Sequence, residues 1–420
     1  MKAFAGAFVA AFLATATAAQ VPYSTTGSQP AGPSVCPGGL CQPQALDSLF
    51  AALSRTESDF VTAPVHIVQI GDSHTAGDRI TGRLRAALQA RFGDGGRGVL
   101  PPGVPYEGYA PLQVEVMADG WTTTLAPLAG HMGYVRAGVG LTGVQAVTVQ
   151  PGGSLTIRRD SIPAAFMRIG LCGEGPGRLE VEADDASWTL DFGPERCAVL
   201  FTDAAPRQVR LRALDGVLDL HDVRLTNIAP GVEVSNLGVV GATLRDLAAR
   251  DQAVVARELA AWEPALIILA FGTNEGFDDG LDVRAYEALL RGQILRLRRL
   301  APRASLMILG APDALRNGGS NGCSADGRRS PPPTLAVVRD VQRRVAADTA
   351  VAFWDWHGRM GGDCSADRLA LRAEPYVRGD RVHFTGPGAD WIGGMLAADL
   401  LAAYDGWKAR PGSTTARSAD

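Results

Sequence analysis

The sequence predicts an α/β protein: a parallel sheet with helices on both faces, interrupted by an inserted all-β domain. Two observations predict it. Short, largely apolar runs recur at 64–70 (PVHIVQI), 265–270 (ALIILA), 304–309 (ASLMIL) and 350–354 (AVAFW), and 232–237 (VEVSNL) reads as a further strand. Such runs mark strands buried on both faces of a parallel sheet. Between 95 and 227 the texture changes to alternating runs such as LQVEVM, SLTIRR, RLEVEA and QVRLRAL, separated by Gly, Pro and Asp, which is the pattern of a β-sandwich.

Element by element, Leu46, Leu49, Phe50 and Leu53 recur at helical spacing. PVHIVQI then enters the turn GDSHTAGD and the helix-spaced TGRLRAALQARF, a strand–turn–helix unit. After the β segment, residues 232–262 read as a strand, a Gly-rich turn and one long helix. The segment PGADWIGGMLAADLLAAYDGW closes the α/β part as a helix, and NGGSNGCSADGRRSPPP, 317–333, reads as a surface loop near the site.

The chain has 420 residues, 46% of them apolar, with 50 Gly and 20% charged residues, a globular profile. Residues 1–19 combine Lys2, a short apolar stretch and small residues at Ala16 and Ala18, which reads as a cleaved secretory signal peptide. The alternative, an uncleaved anchor, would have to span with an apolar run shorter than a full membrane helix. A periplasmic or secreted protein without stable membrane insertion is expected. The expected organisation is an extended lead-in 20–43, a first α/β part 44–94, the β insertion 95–227, a second α/β part 228–408 and a disordered tail 409–420.

Lys and Arg number 40 against 44 Asp and Glu, a net charge of −4. No concentrated basic stretch offers a footprint for phosphate backbones, so nucleic acid is not an expected partner. An oxidising compartment suits the six cysteines, whose local pairings are Cys36 with Cys41, Cys172 with Cys197, and Cys323 with Cys364. No Cys or His spacing matches a zinc site, and neither metal nor cofactor is expected. A monomer is expected.

Three polar turns follow predicted strands: GDSHTAGD with Ser73, NLGVVGATL with Gly241 and FGTNEG with Asn274. Turns at the carboxyl ends of parallel strands converge on one edge, where such folds place their sites. A fourth segment, GDRVHFTGPG, carries Asp380 and His383. Acyl transfer needs a nucleophile, a base, a group orienting that base, and donors for an oxyanion. Ser73, His383 and Asp380 supply the first three; the Ser73 and Gly241 N–H groups and the Asn274 amide supply the donors.

In this order, Gly71-Asp72-Ser73, the Gly238/Gly241 segment, Gly272-Thr273-Asn274 and Asp380-x-x-His383 resemble blocks I, II, III and V of the SGNH (GDSL-type) hydrolases. The resemblance implies a flavodoxin-like SGNH sheet, nucleophile Ser73, oxyanion donors Ser73, Gly241 and Asn274, and the acid–base pair Asp380 and His383. His74 stands where the common form has Leu. GDSHTAGD, FGTNE and the β insertion are most similar to bacterial periplasmic peptidoglycan O-acetylesterases, whose insertion resembles a carbohydrate-binding module. The implied partner is peptidoglycan or another O-acetylated polysaccharide. Three other readings stay open: an acetyltransferase on the same scaffold, an esterase for another polysaccharide, and a non-catalytic carbohydrate-binding wall protein.

Several features read more plainly. His74 suits packing or substrate contact. Asp355 and His357 form a competing acid–base pair that matches no block. Gly138-x-Gly140-x-x-Gly143 lacks the helix a dinucleotide site requires. Asp278 and Asp279 suit a solvated turn better than calcium, and Trp121 and Tyr134 suit a core better than sugar stacking.

Overall fold

The computed structural model describes residues 39–58, 63–126, 138–148, 151–159, 166–318 and 322–410. The expected signal peptide, Cys36, Tyr134 and residues 411–420 of the tail lie outside them.

Six strands form one sheet. Val65–Gly71 lies between Val232–Gly238 and Leu266–Ala270; Ser305–Leu309, Ala352–Trp354 and Leu40–Cys41 follow outward from the latter. All neighbours pair in parallel except the last two, which are antiparallel. The expected extended lead-in therefore ends as an edge strand, with Leu40 opposite Trp354 and Cys41 opposite Phe353. An open edge leaves unpaired backbone groups, and a segment arriving antiparallel satisfies them. Leu40 and Cys41 are buried there.

Period-two alternation sorts each strand between two helical layers. Ile67, Ile268 and Met307 face the helices Asp47–Glu57, Arg79–Phe92 and Gly386–Lys408, contributing to a cluster with Leu49, Phe50, Leu84, Leu88, Ile392 and Tyr404. Val68, Ile267 and Ile308 face Gln252–Trp262, Val283–Leu300 and Pro333–Asp348, with Leu259, Ile294 and Val341. The expected single long helix before Trp262 is two, Leu244–Ala248 and Gln252–Trp262. Asp251 makes the break: its carboxylate accepts from the Ala253 and Val254 N–H groups as the second helix's N-cap.

Nine more strands, beginning with Gly96–Leu100 and ending with Leu218–Thr226, form an antiparallel sheet. Most of the described strands are thus antiparallel, which corrects the expectation of a plainly parallel sheet. Alternation explains these strands too. Val209 and Leu211 are buried with Leu179 and Val181, while Arg210 and Arg212 stand opposite Glu182 and Glu180 and pair with them on the other face. Trp121 belongs to this sheet's core, its Nε1–H donating to the Pro102 carbonyl at 2.9 Å. Buried this way, it is no sugar-stacking platform.

The antiparallel sheet is stitched to the parallel one. Val99 N donates to Ser235 Oγ at 2.7 Å, and Gly98, with φ +85°, permits the approach because a Cβ there would lie 2.5 Å from that oxygen. Cys172 and Cys197 are disulfide-bonded across paired strands. Cys323–Cys364 anchors the 317–333 loop, whose ends form a small hairpin, Arg316–Asn317 against Arg329–Ser330. Among the described residues no helix is long and apolar enough to cross a membrane.

Candidate active site

Strand register brings three of the predicted turns together. Gly71 is paired with Gly238 on one side and Ala270 on the other, so the turns carrying Ser73, Gly241 and Asn274 leave the sheet side by side. Gly238 allows the first two to touch, since a Cβ there would lie 2.1 Å from the Ala76 nitrogen. Ser73 opens the short helix Ser73–Ala76, capped by Asp72, whose Oδ1 accepts from the His74 N–H at 2.9 Å.

The fourth segment folds back over this edge. Asp380 Oδ1 accepts from the N–H groups of Val382, at 2.9 Å, and His383, at 3.0 Å. Arg381 takes a left-handed φ of +62° within this tight turn. His383 is then held between two partners: Nδ1 lies 2.8 Å from Asp380 Oδ2, and Nε2 lies 2.9 Å from Ser73 Oγ. A carboxylate can only accept, so Nδ1 carries the proton and Nε2 accepts from the Ser73 hydroxyl. Burial opposes the Asp380 charge, but the His383 ring and the two backbone N–H groups outweigh it and hold its carboxyl below the usual range.

Asn274 donates its side-chain amide to the Ala242 carbonyl at 2.9 Å, joining its turn to that of Gly241. Gly241 has φ +78°, a backbone state that favours glycine. Glu275, which the sequence reading passed over, reinforces this junction. Its Oε1 accepts from Leu244 N at 2.8 Å and its Oε2 from Gly272 N at 3.0 Å. Burial, with a contribution from the charge of Asp72, pushes its carboxyl up to about 7.

Asp78, the last residue of GDSHTAGD, is also more than a turn residue. Its buried carboxylate accepts from Thr81 and Arg85 on the next helix, and from Arg97 and Leu112 near the start of the antiparallel sheet. A signal was present: Arg85 falls three residues before Leu88 and seven before Phe92, on the flank of the helix's apolar stripe, and an arginine there needs an acid.

The competing pair does not form. His357 Nε2 binds Asp363 Oδ1 at 2.8 Å, while Asp355 caps its own helix through Gly358 N. Asp279 pairs with Arg316, and Asp278 accepts from Gly280 N, as a solvated turn would. Two groups of acids about a histidine occur among the described residues: Glu174, Asp219, His221, and Asp313, His357, Asp363. Each already holds a cation of the chain, Arg257 at 3.5 Å from Glu174 and Arg339 at 3.7 Å from Asp363.

Residues 214–391 match the model of the GDSL-like Lipase/Acylhydrolase family. A solved structure described as a peptidoglycan O-acetylesterase in action aligns with TM-score 0.73 and 28% identity, over 86% of this chain and 96% of that one. The chain is an SGNH, or GDSL-type, ester hydrolase. The family match begins after most of the antiparallel strands and so omits the Ser73 turn, which those strands separate from the rest of this SGNH hydrolase. Weaker likenesses include a family two carbohydrate esterase from Cellvibrio japonicus, at 13% identity and TM-score 0.28 over 70% of this chain and 98% of that one. A GDSL-like lipase from Parabacteroides merdae aligns at 20% identity and TM-score 0.29, over 42% and 73%. No curated protein sequence matches this SGNH hydrolase.

Proposed function

We propose that the protein is an exported serine esterase that removes O-acetyl groups from peptidoglycan. The observation that carries the chemistry is the hydrogen-bond chain Ser73–His383–Asp380. Support for the substrate is the likeness to the peptidoglycan O-acetylesterase, which extends over nearly the whole of that chain and most of this one. Two disulfides agree with an extracellular or periplasmic setting, to which residues 1–19 would direct the chain.

In this reading Ser73 Oγ attacks the acetyl carbonyl while His383 Nε2 takes the hydroxyl proton. Asp380 keeps the Nδ1–H tautomer and stabilises the imidazolium that forms. The Ser73 and Gly241 N–H groups, with the second N–H of the Asn274 amide, receive the tetrahedral oxyanion. The intermediate collapses as the sugar alcohol leaves with the proton from His383. Water, deprotonated by the same nitrogen, then attacks acetyl-Ser73; acetate departs and Ser73 recovers its proton. The antiparallel strands of 95–227 are the glycan-facing insertion.

Acetate release from O-acetylated peptidoglycan, acetylated xylan and acetylated alginate, with Ser73→Ala as blank, tests this. Peptidoglycan is expected to be the best substrate. Preference for xylan or alginate would reassign the glycan, and acetyl transfer to glycan in place of acetate release would reassign the second step.

A further inference from the structure

His74 sits between two acceptors. Its Nδ1 is 3.2 Å from Asp72 Oδ1 and its Nε2 is 3.0 Å from the Val382 carbonyl. A neutral imidazole has one N–H and one lone pair, so it would aim the lone pair at one of these oxygens. Only the imidazolium donates to both. The ring is buried, edge-on to Trp356 and Phe384 at 5.5 and 5.9 Å between centroids, and stacks on His383 at 5.5 Å with 29° between planes.

We propose that His74 is a cationic positioning residue, a two-ended clamp that holds the His383 turn against the Ser73 turn and packs the His383 ring toward the Ser73 hydroxyl. The inference rests on the Ser73 esterase reading. Asp72 immediately precedes Ser73's helix and Val382 immediately precedes His383, so one ring fixes the chain beside both members of the pair. An aliphatic side chain at 74 could fill the volume but could donate to neither oxygen.

The surroundings agree with a charged ring. Burial opposes the charge, yet Asp72, the Val382 carbonyl and Asp380 outweigh it and raise the His74 pKa above the ordinary histidine value. The ionisable groups around it are Asp72 on its own turn, Glu275 beyond Asp72, and Asp380 and His383 from the turn before the last helix. Trp356, from the short helix after Ala352–Trp354, and Phe384 pack against the ring as its uncharged neighbours.

The test compares wild type, His74→Leu and His74→Gln for kcat and KM from mildly acid to alkaline pH, with Ser73→Ala as blank. Misplacing a catalytic group by about 1 Å costs on the order of 100-fold, so kcat is expected to fall about 10- to 100-fold with KM within about twofold. Gln, which can make one of the two donations, retains more activity than Leu. A raised pKa means the clamp is complete below the ordinary histidine range and is lost as pH rises through His74's own pKa. Wild-type kcat therefore declines on the alkaline side, and both variants lack that limb. NMR of the wild-type imidazoles at neutral pH should find His74 protonated on both nitrogens, a result independent of how the variants fold. A neutral His74, or a His74→Leu protein with wild-type kcat and the same alkaline limb, would overturn the clamp. Full activity in Ser73→Ala would instead overturn the esterase reading, and the NMR result would still decide the state of His74.

Discussion

The Ser73 hydroxyl and the Nε2 atom of His383 lie 2.9 Å apart although 310 residues separate them in the chain. Two short turns, one after a central strand and one before the last helix, hold this contact. Ser73→Ala and His383→Ala are expected to abolish ester hydrolysis to within measurement. Asp380→Asn, which leaves a side chain of the same shape but disfavours the Nδ1–H tautomer, should lower kcat about 10³- to 10⁴-fold. Steady-state kinetics on an acetyl ester check both.

Asn274 ties its turn to Ala242 as well as presenting an amide. Asn274→Ala should reduce kcat about 100- to 1000-fold, the usual loss for one oxyanion donor. If the amide acts on the transition state, kcat and kcat/KM fall together. A rise in KM alone would show that it only binds substrate.

Asp78 is buried with Arg85 and Arg97. Burial opposes its charge, but the two guanidinium groups outweigh this and hold its pKa below the usual range. Asp78→Asn would leave both cations buried without their acid, a loss of about 3–5 kcal/mol in unfolding free energy by urea titration. Adding Arg97→Met should recover part of that loss, because one unpaired charge goes with it.

His66 supplies a pH dependence. Its Nδ1–H donates to the Trp262 carbonyl at 3.2 Å, and its Nε2 accepts from the Ser235 hydroxyl at 2.6 Å, which in turn accepts from Val99 N. Burial favours this neutral ring and lowers its pKa to about 4. With the folded pKa below the unfolded one, this stability is complete above about pH 6.5 and is lost as pH falls toward about 4. The loss is at most about 3 kcal/mol. Thermal midpoints across that interval should drop, and less steeply in His66→Gln.

Much of the fold was legible because burial on two faces writes itself into composition. Strand 266–270 is continuously apolar and 65–71 nearly so, broken by His66 and Gln69, whereas strands of the other sheet alternate. What escaped was long-range or locally ambiguous. The edge strand Leu40–Cys41 has no periodicity in two residues, and its partner lies more than 300 positions away. The helix break at Asp251 was hidden because Ala, Leu and Arg favour helix on both sides of the cap.

At the candidate site, residue types in order identified which side chains could do acyl chemistry. Their supporting groups were harder to read. Glu275, Asp78 and His74 look like ordinary polar residues of Gly-rich turns, and their partners lie on other segments: Leu244, Arg97 and Val382.

By itself, then, the sequence determined the α/β class, the segments that hold the chemistry and their order along the chain, because buried periodicity and turn composition are local properties. Only the tertiary structure decided which atoms meet. Parallel register set the Ser73, Gly241 and Asn274 turns side by side, and the return of the last turn placed His383 against Ser73 with His74 packed on it. Hydrogen bonds act over about 3 Å, a scale that chain separation does not encode.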